Sequence, residues 1–447
     1  MAIARSRNLL LFLLALTFSG AVSLLNTISP LLLPAYIAAL LACSAICVLA
    51  DPSLVERSAS MWPYAAFLLF FFAWGTLFSA DRAEVLPNVL RFIGKDFLIL
   101  GAVAVAIVDR RHMTRFAGMV QFAVIINLAI SIWQLIDPGV LVAMANALEQ
   151  DNQAFSASRP AGLWINPNLA SFALILGVLL SGWARGPLAW AGRFAAVAGI
   201  ILTASRSGLY LLLLCAFIYA VFRVKPWTVR SNAVPAIVAG AAVLGAVLLM
   251  FVDKPPEGVA LDVGQGTTLS RVFDVTESAT TALGGETRGD ITLQAVQATL
   301  EAPWYGYGVF TFQGTTISSL QSPLPNLGAH DIYLVTWGET GLAGLLIYLL
   351  VLAIGIRRMF ESALPVRERL LLALIWISYL IIGLVWHNQF TDLLGLLYVG
   401  LLFQIPSLAP SVQRAASSLQ TSASPLLQAK ERPSAAGQPG IHGLQEN

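Results

Sequence analysis

The chain has 447 residues, of which 57% are hydrophobic and only 11% charged. A soluble domain carries roughly a quarter charged residues, so the composition excludes an ordinary globular protein and points to a polytopic membrane protein. The net charge of +2 comes from basic residues scattered over short loops, which gives no nucleic-acid signature. The three cysteines, Cys43, Cys47 and Cys215, sit in apolar runs with neither disulfide nor metal-ligand spacing.

Arg5 and Arg7 precede an apolar run that continues to about Leu25. This is longer than the core of a cleaved leader, so it reads as a signal anchor. With about 20 apolar residues needed to cross a bilayer, the pattern predicts spans near 8–25, 31–50, 62–79, 93–108, 115–136, 167–184, 188–204, 207–222, 233–252, 331–354, 368–385 and 390–405. With the N-terminus inside, this register puts eighteen Lys and Arg on the cytoplasmic side and eight outside, the bias expected of that orientation. Two outer segments are longer than turns. Residues 137–166 read as a short surface helix with an irregular approach to the next span. Residues 253–329 are rich in Gly, Thr and Ser and read as a lid over the bundle. After about Ser407 the chain becomes rich in Ser, Ala, Gln and Pro and reads as a disordered cytoplasmic tail. The resulting division is 1–252, nine spans; 253–329, the large loop; 330–406, three spans; and 407–447, the tail.

The polar residues that break this pattern gather at the outer ends. Thr203-Ala-Ser-Arg206-Ser-Gly208 forms a tight turn between two spans, and an arginine at that interface is costly unless it meets an anion or a carboxylate. Thr287 can cap a short helix that Ala302-Pro303 ends, which sets Arg288 in its first turn beside unpaired N–H groups that favour an anion. Gly306-Tyr307-Gly308 follows, and then His330-Asp331 at the mouth of a span bearing Gly338, Gly341 and Gly344 at helical spacing. A neutral imidazole there suits a general base. His387, in the last outer turn, reads as a rival base or as an interfacial belt residue, and the belt is favoured. The chain has no Walker loop, no paired histidines on a helix and no Gly-x-Ser-x-Gly elbow. An early outer pair of carboxylates, which metal-dependent membrane glycosyltransferases use, is also lacking. Neither a metal nor a cofactor is expected.

Several stretches, in order, resemble the O-antigen ligase and polymerase superfamily of bacterial inner-membrane proteins. They are Arg159-Pro-Ala-Gly162…Asn166-Pro-Asn168, Thr203-Ala-Ser-Arg206-Ser-Gly208, Arg288…Pro303-Trp-Tyr-Gly306-Tyr307-Gly308…Phe312, and His330-Asp331…Glu339-Thr-Gly341-Leu-Ala-Gly344. The resemblance covers about residues 60 to 405. It implies an all-α bundle of about twelve transmembrane helices of the GT-C type, with a large periplasmic loop over the site. It also implies metal-independent transfer of a glycan from an undecaprenyl-diphosphate carrier to an acceptor at the periplasmic face of the inner membrane. Carried over by position, Arg206 and Arg288 hold the diphosphate and His330 faces the acceptor hydroxyl, with Arg159, Asn168, Tyr307 and Asp331 assigned to substrate binding. Asp331 departs from the Asn, Ser or Gln that many ligases carry after the histidine. Lipid A–core, a growing polysaccharide and a protein side chain all stand as acceptors. A transporter or flippase, the alternative from another class, would place ionisable residues at mid-membrane, whereas the cations here lie at outer ends.

Overall fold

The structure, a computed structural model, describes residues 2–29, 31–137, 139, 159–164, 166–224, 288–313, 324 and 328–408. The chain divides into Met1–Leu408 and Ala409–Asn447, and the second unit lies outside the described residues. So do the expected span at 233–252, the surface helix within 137–166 and most of the expected lid.

All regular structure among the described residues is helical. In chain order it comprises α1 (Ala2–Ser19), α2 (Ala21–Ile28), α3 (Leu32–Ala50), α4 (Ser53–Arg57), α5 (Trp62–Leu77), α6 (Arg82–Ala106) and α7 (Arg110–Ile136). Then come α8 (Pro167–Leu180), α9 (Gly186–Leu202), α10 (Arg206–Val224), α11 (Arg288–Glu301), α12 (Ile332–Glu361), α13 (Val366–Gly383) and α14 (Leu393–Gln404). Residues 32–50, 53–77, 110–136 and 332–361 are long and apolar enough to cross a membrane, and shorter apolar helices lie between them. The protein is an all-α polytopic membrane protein.

Short polar caps set where the apolar runs begin. Asp81 accepts from the Glu84 N–H at 3.1 Å and Asp109 from the His112 N–H at 2.8 Å. Asp392 accepts from the Leu394 N–H at 3.0 Å. Each satisfies one of the orphan donors of a helix start. Two boundaries differ from the hydropathy reading. The first span divides at Gly20, whose φ is 81°. Helix α6 starts at Arg82 rather than near 93, because the Asp81 cap nucleates it ahead of the apolar stretch.

Helix α7 packs against α1 and α9, α8 against α9, α10 and α13, and α12 against α5 and α13. The core between them is aromatic. Phe67, Tyr348 and Phe390 meet at centroid distances of 4.9 to 5.2 Å. Cys43, Cys47 and Cys215 are free and buried, as packing residues.

Candidate active site

The segment that carries Arg159 would have no fixed place without α7. Gln134, buried on that helix, accepts from the N–H groups of Ala161 and Gly162 at 3.0 and 2.9 Å and donates to the Gly162 carbonyl at 2.8 Å. Asn127, two turns earlier, accepts from the Leu163 N–H at 2.9 Å. Two side-chain amides thus serve as backbone partners for an irregular segment, as buried polar groups require. Asn166 then caps α8, accepting from the Asn168 N–H at 3.0 Å, with Pro167 at its favoured first-turn position.

That cap brings three of the expected residues to one place. Asn168 Oδ1 accepts from Ser205 Oγ at 3.0 Å and from Arg159 Nη2 at 3.4 Å, while Arg159 Nε donates to the Thr203 carbonyl at 3.0 Å. Ser205 Oγ caps α10 through the Gly208 N–H at 3.3 Å. Arg206 is the first residue of α10 and is partly buried. Arg159 thus reaches the N-terminus of α8, and Arg206 opens α10. The helix macrodipole disfavours a cation at that end by about 0.3–1 kcal/mol, a cost that an anion seated there reverses.

The histidines stand at the opposite end of a short path along α8. Phe172 lies one turn after Asn168, on the same helix face, and its ring packs at 6.2 Å on Trp386 in the turn between α13 and α14. The next residue, His387, meets His330 edge-on at a centroid distance of 4.8 Å and an interplanar angle of 71°. His330 takes a left-handed φ of 50°, rare for a residue with a Cβ, between a neighbour tied down on each side. The Ala329 N–H donates to the Phe312 carbonyl at 2.9 Å, and Asp331 caps α12 by accepting from the N–H groups of Tyr333 and Leu334 at 2.7 and 3.0 Å. Burial raises the Asp331 carboxyl to about 6, with the two capping bonds pulling the other way. Desolvation lowers His387 to about 4, against its donation to the Gln313 carbonyl, so the ring is neutral at pH 7.

The Gly-Tyr-Gly turn is held by a break in α12. At Gly341 the backbone leaves the helix, with φ 74° and ψ 178°, a conformation that is essentially glycine's alone. The break releases the carbonyls of Gly338 and Glu339. These accept from the N–H groups of Tyr307 and Gly308 at 2.8 and 3.1 Å. A Cβ on Gly306 would lie 2.5 Å from the Glu339 backbone. The fully buried Glu339 carboxylate accepts from the Phe312 N–H at 2.9 Å and from Gln313 Nε2 at 3.0 Å. The loop is also fastened to α5, where the Val309 N–H donates to the Gly75 carbonyl at 3.1 Å and Trp74 Nε1 to the Tyr305 carbonyl at 3.2 Å.

Of the seven residues singled out from sequence, Arg159 and Asn168 are bonded to each other, and Arg206 follows Ser205, which bonds to Asn168. Tyr307, stacked on Phe312 at 5.9 Å, belongs with His330 and Asp331 to a separate group. Asp331 has a structural task as a cap. Arg288 opens α11, which packs on α12, but its side chain lies outside the described residues, so its pairing with Arg206 is not observed. Two residues gain a place that sequence reasoning did not give them. Glu339 anchors the loop, and its signal was an acid in the middle of an apolar run. His387, weighed from sequence as a rival base or a belt residue, meets His330 edge-on, a neighbour that its local sequence does not announce. Among the described residues no three His, Cys, Asp or Glu side chains converge as metal ligands would.

Residues 191–349 match the family model described as O-antigen ligase. That match, about a third of the chain, supports a relationship to the O-antigen ligase superfamily. No curated protein and no solved structure gives a significant match. The O-antigen ligase match runs from α9 into α12 and includes Arg206, Arg288, the Gly-Tyr-Gly turn, His330 and Glu339. Arg159, Asn168 and His387 come from outside the O-antigen ligase match, so the tertiary fold is what unites them with it.

Proposed function

We propose that this protein is a glycosyltransferase that moves a glycan from an undecaprenyl-diphosphate carrier to an acceptor hydroxyl, without a metal, at the periplasmic face of the bacterial inner membrane. One observation carries the reading. A group of Arg159, Asn168 and Ser205, with Arg206 next in sequence at the start of α10, is joined along a single face of α8, through Phe172 and Trp386, to the histidine pair. Anion binding and proton acceptance are the two needs of glycosyl transfer from a diphosphate.

In the step proposed, the acceptor oxygen bonds to the anomeric carbon as the bond from that carbon to the diphosphate oxygen breaks. The hydroxyl proton passes to the His330 ring, and the electron pair leaves with the diphosphate. Arg206 and Arg288, with the N–H groups of the helices they open, meet the charge that grows on the leaving group, the kind of interaction that is strongest in the transition state. Lipid A–core, a second carrier-linked glycan and a protein hydroxyl are the acceptors to separate. They correspond to a ligase, a polymerase and a protein ligase.

The experiment is transfer by purified full-length protein in lipid nanodiscs. The donor is an undecaprenyl-diphosphate-linked oligosaccharide, and the acceptors are lipid A–core, a second molecule of donor and a serine peptide. Glycan appearing on one of them is the expected result, and transfer to none overturns the reading.

A further inference from the structure

Resting on the transferase reading above, we infer that His387 is a positioning residue of the site: its Nδ1 accepts the hydrogen bond of the His330 ring N–H and holds that imidazole toward the acceptor. The two rings already stand edge to face at 4.8 Å, where a small side-chain rotation brings their nitrogens within hydrogen-bond range. His387 is the fixed partner of the two. It donates to the Gln313 carbonyl. The Gln313 side chain in turn donates to Glu339 at 3.0 Å, and the neighbouring Phe312 N–H donates to the same carboxylate at 2.9 Å.

This anchoring selects the tautomer. Among the described residues the buried Nδ1 of His387 has no hydrogen-bond partner, so the nitrogen that donates to Gln313 is Nε2. A neutral imidazole donating through Nε2 carries its lone pair on Nδ1. An acceptor buried without a donor is costly, and the ring that faces this one is His330. With one nitrogen donating to His387, His330 presents the lone pair of its other nitrogen to the acceptor hydroxyl. When His330 takes the proton, the same bond stabilises the imidazolium. A nucleophile's base, oriented by a third group, is the logic that catalytic triads share. Burial keeps His387 itself from taking the proton at neutral pH.

The test uses the nanodisc assay just described, with the acceptor the wild type uses, and reads kcat, KM and donor binding. His387→Asn sets an amide where Nδ1 lies, and His387→Gln sets one where Nε2 lies. If Nδ1 does the work, His387→Ala and His387→Gln each lower kcat by at least about tenfold, with donor binding kept, and His387→Asn recovers a substantial part. The double variant His330→Ala/His387→Ala should be no slower than His330→Ala alone, because one residue acts through the other. Wild-type kcat in His387→Ala overturns the positioning role. So does a full rate in His387→Gln beside a poor His387→Asn, which would make the bond to Gln313 the residue's only task. Losses that multiply in the double variant overturn it as well. Failure of the transferase reading looks different, since the wild type itself would then transfer glycan to none of the acceptors.

Discussion

Arg206 and Asp331 each occupy a helix start, and the physics of that position gives each a testable consequence. Arg206 is a cation where the macrodipole favours an anion, and its planar fork can bond two phosphate oxygens at once, which lysine's point charge cannot. Arg206→Lys is therefore expected to keep the charge yet lose about a hundredfold in transfer rate, on the order of 3 kcal/mol. A wild-type rate in both Arg206→Lys and Arg206→Ala would remove the arginine from the mechanism. Asp331 titrates at about 6 in the folded protein, above its ordinary value, because it is buried. The folded state thus binds the proton more tightly than the unfolded one. The carboxyl costs nothing at low pH, and stability falls as pH rises from about 4 through 6. An asparagine side chain in its place would cap the helix as well without that cost. Asp331→Asn is accordingly expected to melt higher than wild type at pH 8, by on the order of 2 kcal/mol after screening, and equally at pH 4. Thermal melts in detergent at the two pH values decide it; a wild type that melts higher at pH 8 contradicts the sign.

At the scale of elements, the organising feature is the broken α12 and the loop it holds. A continuous helix would keep the carbonyls of Gly338 and Glu339 for itself. The break hands them to the loop, and the loop hands the Gln313 carbonyl to His387. Gly341→Ala should be strongly destabilising, by about 3 kcal/mol or more, because the conformation is glycine's and the added Cβ overlaps the Trp304 carbonyl. A fall in melting temperature together with lost transfer is the expected pair, and an unchanged melt would mean that α12 can straighten. Glu339→Ala leaves the Phe312 N–H and the Gln313 amide without their acceptor, at about 1–3 kcal/mol each. Limited proteolysis near 313 should accelerate in this variant before the bundle melts.

Across the whole molecule, the prediction is of sidedness and of chemistry. Reporter fusions at Gly264 and in the 407–447 tail should report opposite sides of the membrane, as the Lys and Arg distribution requires. The same side for both would undo the topology and with it the periplasmic site. Transfer should persist in EDTA if arginines alone meet the leaving charge. Loss on chelation, restored by Mg²⁺ or Mn²⁺, would call for carboxylate ligands instead.

The sequence alone determined the fold class, the helix starts at 167, 206 and 332 to within one residue, and the identity of Arg206 and His330 as notable. Those features are local: an apolar run of bilayer length, a capping side chain, a charged residue where the bilayer makes charge costly. Tertiary structure decided which of them meet. Arg159 reaches the Thr203 carbonyl and Asn168 only because Gln134 and Asn127 fasten an irregular segment to α7. Glu339 works only because α12 breaks two residues later. His330 and His387 are 57 residues apart in sequence (387 − 330) and stand edge to face only because α13 returns the chain beside the start of α12. Contacts of that kind depend on which helix faces pack together, and hydropathy, which fixes how long a helix is, carries little information about which way it faces when every side of it is apolar.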